Sequence, residues 1–367
     1  MRRISMLLII GIMLVGCGLQ NSVTNPQQEK INTVMEAADI AYKAEHFEEA
    51  KTLYTEVLTI EPTYENALLN RARTRVALHQ VVEARVDLLA SASIQQEKSA
   101  AYDEVNGLIY QQEKKVEEAI VAYSSALKKE ETAERLTSRG HLYYSIHKNT
   151  EAKADLQQAI MSEGGQTVGN YYTLAEIAIY EGKYPEAQKQ LEELLKKNPK
   201  SGKAQAMSAY IMVKQIKKTD SENTKREIVE KADNQLQAAL KESPADAVVY
   251  NYQGLYYYVL ENLMAAEETF TQAITLDATQ APFYNNRALT KYYQGENEGA
   301  YTDVSTAIGL DKLEPEYYLG RGFISITQEN RNSAIGDFNK AVELDEKMLE
   351  RIPEEFRTEI KTGEIPE

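Results

Sequence analysis

Tryptophan is absent from the chain, and Cys17 is its only cysteine. No disulfide can form within one molecule, so packing alone must hold the fold together. Glycine and proline are sparse, at 18 and 9 of 367 residues, whereas Ala, Glu, Lys, Leu and Gln are abundant throughout. A chain poor in turn formers and rich in helix formers suits stacked helices, with almost no strand. Its length exceeds one compact core unless that core is elongated, which leaves two or three globular domains or a repeat array. No apolar run is long enough to cross a bilayer comfortably. The nearest, Met6 to Val15, follows Arg2 and Arg3 and reads as a secretory signal. Basic charge is lacking too. Without Arg2 and Arg3 the chain carries 39 basic against 56 acidic side chains, a net charge of −17. No basic stripe offsets the repulsion of a phosphate backbone, which argues against nucleic acid as a partner. Acidity of this size serves solubility first and attraction of basic partners second.

The signal ends in Leu14-Val15-Gly16-Cys17, which resembles the lipobox of bacterial lipoproteins. The resemblance implies that residues 1–16 are a lipoprotein signal peptide and that Cys17 receives a diacylglyceryl thioether and becomes the first mature residue. Residues 17–30 then comprise the lipidated cysteine and a flexible tether, polar from Gln20 to Gln28. A single acyl chain holds a protein to a membrane only marginally. Burying two or three, at about 0.8 kcal/mol per methylene, makes attachment effectively permanent. The implied location is extracytoplasmic, on the outer membrane facing the periplasm or on the outer face of the cytoplasmic membrane. Gly18 is not the aspartate that retains enterobacterial lipoproteins in the inner membrane.

Aligning Glu49-Ala50, Glu118-Ala119, Glu151-Ala152, Glu186-Ala187 and Ala265-Ala266 brings out a spacing near 34 residues. In that register nine repeats begin near residues 31, 65, 100, 133, 168, 201, 247, 281 and 315, each reading as two amphipathic helices joined by a short turn. Counted from the first residue of each repeat, position 8 is always small: Ala38, Ala72, Gly107, Gly140, Ala175, Ser208, Gly254, Ala288 and Gly322. Position 20 is always alanine, from Ala50 to Ala334, and position 24 is bulky, as in Tyr54, Leu156, Phe270 and Phe338. This pattern resembles the tetratricopeptide repeat. The resemblance implies an all-α fold of tandem helical hairpins in a right-handed solenoid, with small residues where two helices cross closely and the position-24 side chains as knobs between successive hairpins. Asp103 and Ala204 stand where position 4 expects a bulky residue, so repeats 3 and 6 are expected to pack less firmly.

The repeats divide as 1–5 over residues 31–200, the sixth over 201–246, and 7–9 over 247–346. The sixth holds about 12 extra residues near 217–228. There Thr224-Lys225-Arg226-Glu227 fits a capping box that opens a lengthened second helix. The insertion reads either as a tolerated surface turn or as a docking element. Residues 347–367 are expected to supply a C-terminal capping helix, with Pro353 in its path, and a tail. A stack leaves an apolar face at each end, and the charged outer side of this segment suits solvent.

No nucleophile, acid–base pair or metal cluster stands out beyond what the repeat explains, so the chain reads as non-enzymatic, with no cofactor and no metal. The four histidines are His46, His79, His141 and His147. His141 and Glu176 share position 9 of repeats 4 and 5 and read as a polar groove pair, because zinc wants three or four converging ligands. Gly164-Gly165 and Gly169 lack the strand and lysine of a phosphate-cradling loop and read as helix terminators.

Most of the 24 tyrosines fall at core positions, among them Tyr110, Tyr143, Tyr184 and Tyr257. By the family resemblance, positions 2, 5, 9 and 12 line a concave groove. The candidate partner-binding residues are Asn251, Leu255 and Tyr258 in repeat 7, Asn285, Asn286, Leu289 and Tyr292 in repeat 8, and Phe323 in repeat 9. Aromatic rings beside amides suit an extended peptide, and they equally suit packing on neighbouring helices or on the cap. Some relatives clamp a C-terminal carboxylate with lysine, asparagine and arginine. Asn286 matches the asparagine, but Glu316 and Gly320 stand where the cations belong, so that specificity is excluded. The expected function is a membrane-anchored scaffold for a protein or peptide in cell-envelope assembly or secretion. The alternative is a carbohydrate-binding adaptor for an exported polysaccharide, with groove tyrosines stacked on sugar rings.

Overall fold

A computed structural model describes residues 25–94, 97–162, 164–165 and 167–360. The signal peptide, Cys17 and the tail beyond residue 360 lie outside the described residues. The described residues are helical and contain no strand. They separate into two compact units, one ending at Glu113 and the other beginning at Lys114. The first holds α1 (Pro26–Lys43) with α2 (Phe47–Ile60), α3 (Glu65–Ala77) with α4 (Val81–Ala92), and α5 (Ala100–Gln112). The second opens with α6 (Val116–Lys129). Then come α7 (Ala133–Ser145) with α8 (Asn149–Met161), α9 (Val168–Tyr180) with α10 (Tyr184–Lys197), and α11 (Gly202–Lys214) with α12 (Glu222–Glu242). It ends with α13 (Ala247–Val259) and α14 (Leu263–Leu276), α15 (Ala281–Gln294) and α16 (Asn297–Leu310), and α17 (Pro315–Thr327) and α18 (Arg331–Leu344). The unit boundary falls in the turn of repeat 3. Helix α1 already begins at Pro26, capped by Asn25, so a helix takes over the last residues of the stretch read as a tether; proline at a first helical turn loses no hydrogen bond.

The turn inside the hairpin is built one way in every repeat but the sixth, where Gln215 keeps a negative φ. Position 15 adopts the left-handed conformation at Glu45, His79, Lys114, His147, Glu261 and Glu329, and at Gly182 and Gly295, with φ between 56 and 84°. The next amide then reaches back to a carbonyl five residues earlier, as His46 N–H does to Ala41 and Asn330 N–H to Ser325, both at 2.9 Å. This is the Schellman closure. Several first helices start on a side-chain cap, with Ser99, Thr132, Thr167, Ser201 and Asp246 each accepting from an amide two or three residues ahead.

The two small columns lie in the core. Every position-20 alanine is fully buried, and Ala38, Ala72, Ala175 and Ser208 of position 8 are too. The position-24 side chains have a different role from the expected one. They lie over position 8 of their own hairpin rather than serving only as knobs between hairpins: a Cβ on Gly254 would lie 2.5 Å from Phe270, and one on Gly140 2.8 Å from Leu156. Glycine stands opposite phenylalanine in the seventh and ninth repeats, and Ala288 and Val304 hold the same two positions in the eighth.

A second device recurs at position 7. Arg71, Arg139, Arg287 and Arg321 each grip the aspartate at position 23 of the same hairpin with two hydrogen bonds of 2.7–2.9 Å, to Asp87, Asp155, Asp303 and Asp337. Each also donates to a hydroxyl of the preceding hairpin, Thr55, Ser124, Thr271 and Ser305 respectively. One guanidinium thus ties together three helices, a task for which its planar fork suits arginine better than lysine.

Repeat 6 is not loose. Ala204, Ala206, Met207, Ala209 and Ile211 are fully buried, because α13 packs mainly on α11, whereas neighbouring first helices lean chiefly on the second helix before them. Small side chains on α11 permit that approach, and Tyr210 and Tyr252 meet across it with ring centres 6.0 Å apart. Helix α12 starts at Glu222, with Ser221 rather than Thr224 as the cap: Ser221 Oγ accepts from Thr224 N–H at 3.1 Å. The C-terminal cap is also not one helix. A 3-10 turn (Glu346–Arg351) and a single-turn helix α19 (Glu354–Arg357) flank Pro353, which has no amide to continue a helix and clashes with the preceding turn. The pieces still cover the last hairpin, burying Met348, Ile352, Phe356 and Ile360.

Candidate partner-binding groove

The candidate residues sit on α13, α15 and α17, and the structure sorts them. Asn251 is buried, and its Oδ1 accepts from Asn286 Nδ2 at 2.9 Å. One hydrogen bond therefore joins the two amides across the seventh and eighth repeats. Leu255 packs half-buried on the α9–α13 core. Tyr258 lies against Tyr293, with ring centres 6.0 Å apart, and burial raises its hydroxyl's pKa, so the phenol stays neutral.

Asn285, Leu289, Tyr292 and Phe323 come together around a cavity of about 410 Å³ between α15 and α17. Leu319, Ile324 and Val304 complete its apolar floor, Tyr293 stands at its edge, and Glu316 and Arg351 form an ion pair at its rim. Leu289 is 40% exposed and Tyr293 61%. Gly320 leaves this wall open, since a Cβ there would touch nothing. Tyr292 and Tyr293 meet edge to face at 5.6 Å, as Phe323 does with buried Phe338, which fixes the cavity rings on a rigid core. Tyr293 and Arg351 were not among the expected groove residues, and Gly320 figured only as a missing clamp cation. Arg351 comes from the 3-10 turn after the last repeat, and nothing in the repeat register points to it.

The His141–Glu176 pair is differently arranged from the expected one. Glu176 is held by Lys203 Nζ at 2.9 Å and by the Tyr144 hydroxyl at 3.2 Å. Burial holds the His141 imidazole below its ordinary pKa, against the pull of Glu176. Among the described residues, no group of three or more His, Cys, Asp or Glu side chains is placed to hold a metal ion.

Residues 172–214 match the tetratricopeptide repeat family model. That segment runs from α9 through α11. No curated protein matches the sequence. Among solved structures, IFIT1, as a monomeric mutant with m7Gppp-AAAA, is 14% identical and covers 81% of this chain and 75% of its own, with a TM-score of 0.52. Yeast Tom70 is 12% identical over 88% of this chain and 93% of its own, with a TM-score of 0.47. A thermophilic tetratricopeptide protein of Thermus thermophilus is 17% identical over 53% of this chain and 100% of its own, at 0.45. The fold is of the tetratricopeptide type, a helical-repeat scaffold of the kind typical of protein–protein interaction.

Proposed function

We propose that this chain is a non-enzymatic scaffold, held by lipid on Cys17 at the extracytoplasmic side of a bacterial membrane. It receives an extended peptide or protein segment at the cavity between α15 and α17. The observation that carries this reading is the cavity itself, with Leu289, Leu319 and Phe323 as an apolar floor, the Asn285 amide on its wall and room left by Gly320. Such a site seats one apolar side chain while the amide meets the peptide backbone. Envelope assembly or secretion is the setting implied by the lipobox resemblance. Nucleic acid stays outside the proposal, because the net charge, −17 without Arg2 and Arg3, repels phosphates. A polysaccharide is the second reading, favoured by the exposed Tyr293 ring beside Tyr258 and Tyr292.

The test is affinity capture of the full chain from native membranes after gentle crosslinking. Leu289→Asp and Phe323→Ala should lose the partner, while Met264→Asp, on the 81% exposed outer side of α14, should keep it. A partner retained by both cavity variants would overturn the proposal. Binding of a soluble glycan that Tyr258→Ala and Tyr292→Ala abolish would favour the second reading.

A further inference from the structure

The second unit carries a contact that no repeat explains. His147, at the left-handed turn between α7 and α8, reaches the linker between α16 and α17, 164 residues later in the chain. Its Nε2 lies 3.0 Å from Asp311 Oδ2, and its Nδ1 3.3 Å from Glu314 Oε2. Both carboxylates are pre-set. Asp311 Oδ1 accepts from Leu313 N–H at 2.9 Å, and Glu314 Oε1 from Glu316 N–H at 3.2 Å, leaving one oxygen of each for the ring. A neutral imidazole has one N–H and satisfies one carboxylate; only the imidazolium donates to both. Glu314 is buried, so leaving it beside Asp311 without a cation is costly.

We propose that His147, Asp311 and Glu314 form a proton-operated clasp that fastens the α7–α8 turn to the start of α17 when His147 is charged and releases it when His147 is neutral. The clasp stands whether or not the cavity between α15 and α17 binds a partner.

The other titratable groups around the ring are few. Tyr144 and Lys148 flank it in sequence, Glu176 and Tyr180 lie on α9, and Glu316 and Tyr317 on α17. Burial pushes the Tyr144, Tyr180 and Tyr317 hydroxyls far up, so they stay neutral. The hydrogen bond to Asp311 raises the His147 pKa, against burial. Burial raises Glu314, whereas His147 and the Leu313 amide bring Asp311 below its ordinary value despite burial. A histidine raised on closure contributes fully below its free value of about 6.5, and the contribution disappears as pH rises through the raised value. At the acid end, the clasp weakens as Glu314 and then Asp311 take up protons.

The test is a spin-label distance measurement on the full chain carrying Cys17→Ser, with labels at Thr150→Cys on α8 and Thr306→Cys on α16, both exposed. The short-distance population should dominate near about pH 6, and the closed-to-open ratio should then fall by up to about tenfold per pH unit through the His147 transition. His147→Gln should show the long distance at every pH, and His147→Arg, a permanent cation, the short one. Other repeats place Glu or Lys in this turn conformation, so both variants should keep the wild-type helical signal. A wild-type distance that ignores pH, or a His147→Gln curve that follows wild type, would overturn the proposal.

Discussion

Replacing Gly254 with alanine tests the matched pairs that set hairpin spacing. In an ordinary helix interior this change stabilises by about 1 kcal/mol, because glycine has the greater backbone freedom to lose. Here the added Cβ would lie 2.5, 2.6 and 2.8 Å from three atoms of the Phe270 ring, against about 3.5–4.0 Å for a favourable carbon contact. Phe270 is fully buried, so the ring has to be displaced within a packed core at a cost of about 1–3 kcal/mol. The net expectation is a loss of up to about 2 kcal/mol in urea unfolding followed by circular dichroism. Gly336 supplies the control: it lies within α18, and a Cβ there meets nothing within 4 Å, so Gly336→Ala should gain up to about 1 kcal/mol. Combining Gly254→Ala with Phe270→Val recreates the Ala288–Val304 pairing of the next repeat, and the double variant should be more stable than the sum of the single losses. If Gly254→Ala stabilises as Gly336→Ala does, the size-matching account is wrong.

Other expectations follow from the same geometry. Arg321→Met strands the buried Asp337 carboxylate and should cost about 3 kcal/mol, somewhat less than for a fully enclosed pair because the arginine is partly exposed, whereas Arg321→Met with Asp337→Leu should restore most of it. Thermal unfolding of the two variants decides this, and equal losses would show that the aspartate tolerates its isolation. Ser221→Ala should cost about 1 kcal/mol and Thr224→Ala clearly less, since Ser221 is the cap of α12; the reverse order in urea unfolding would return the cap to Thr224. Cys17→Ser should move the chain from the membrane to the soluble fraction, and unchanged partition would remove the lipid anchor from the proposal.

The columns at positions 8 and 20 were legible in the sequence because a steric limit leaves a mark in every repeat: only Gly, Ala or Ser fits where two helices nearly touch. The partner of each small residue was less legible, since one bulky column serves equally well as a knob within a hairpin or between hairpins. Helix ends were misread where the true signal was close by, Ser221 three residues before Thr224 and Pro353 breaking the cap. The arginine–aspartate clips were written plainly enough, four arginines at position 7 each followed 16 residues later by aspartate, but the spacing matches no local helical period. At the candidate site, the groove positions Asn285, Leu289, Tyr292 and Phe323 come together around one cavity between α15 and α17. The positions could not reveal that Asn286 donates to the buried Asn251. Gly320, read as a missing clamp cation, proves to be what opens the cavity wall. Arg351 and the His147 clasp join segments whose proximity depends on how successive hairpins tilt, and side-chain type carries little trace of that tilt.

The most direct test of the proposed function is a photo-crosslinking residue placed in the full membrane-bound chain at Leu289, on the cavity, and separately at Met264, on the outer side of α14. Irradiation in the native membrane should join one defined polypeptide to the chain at Leu289 and none at Met264. Equal crosslinking at both positions, or none at Leu289, would contradict a partner seated between α15 and α17.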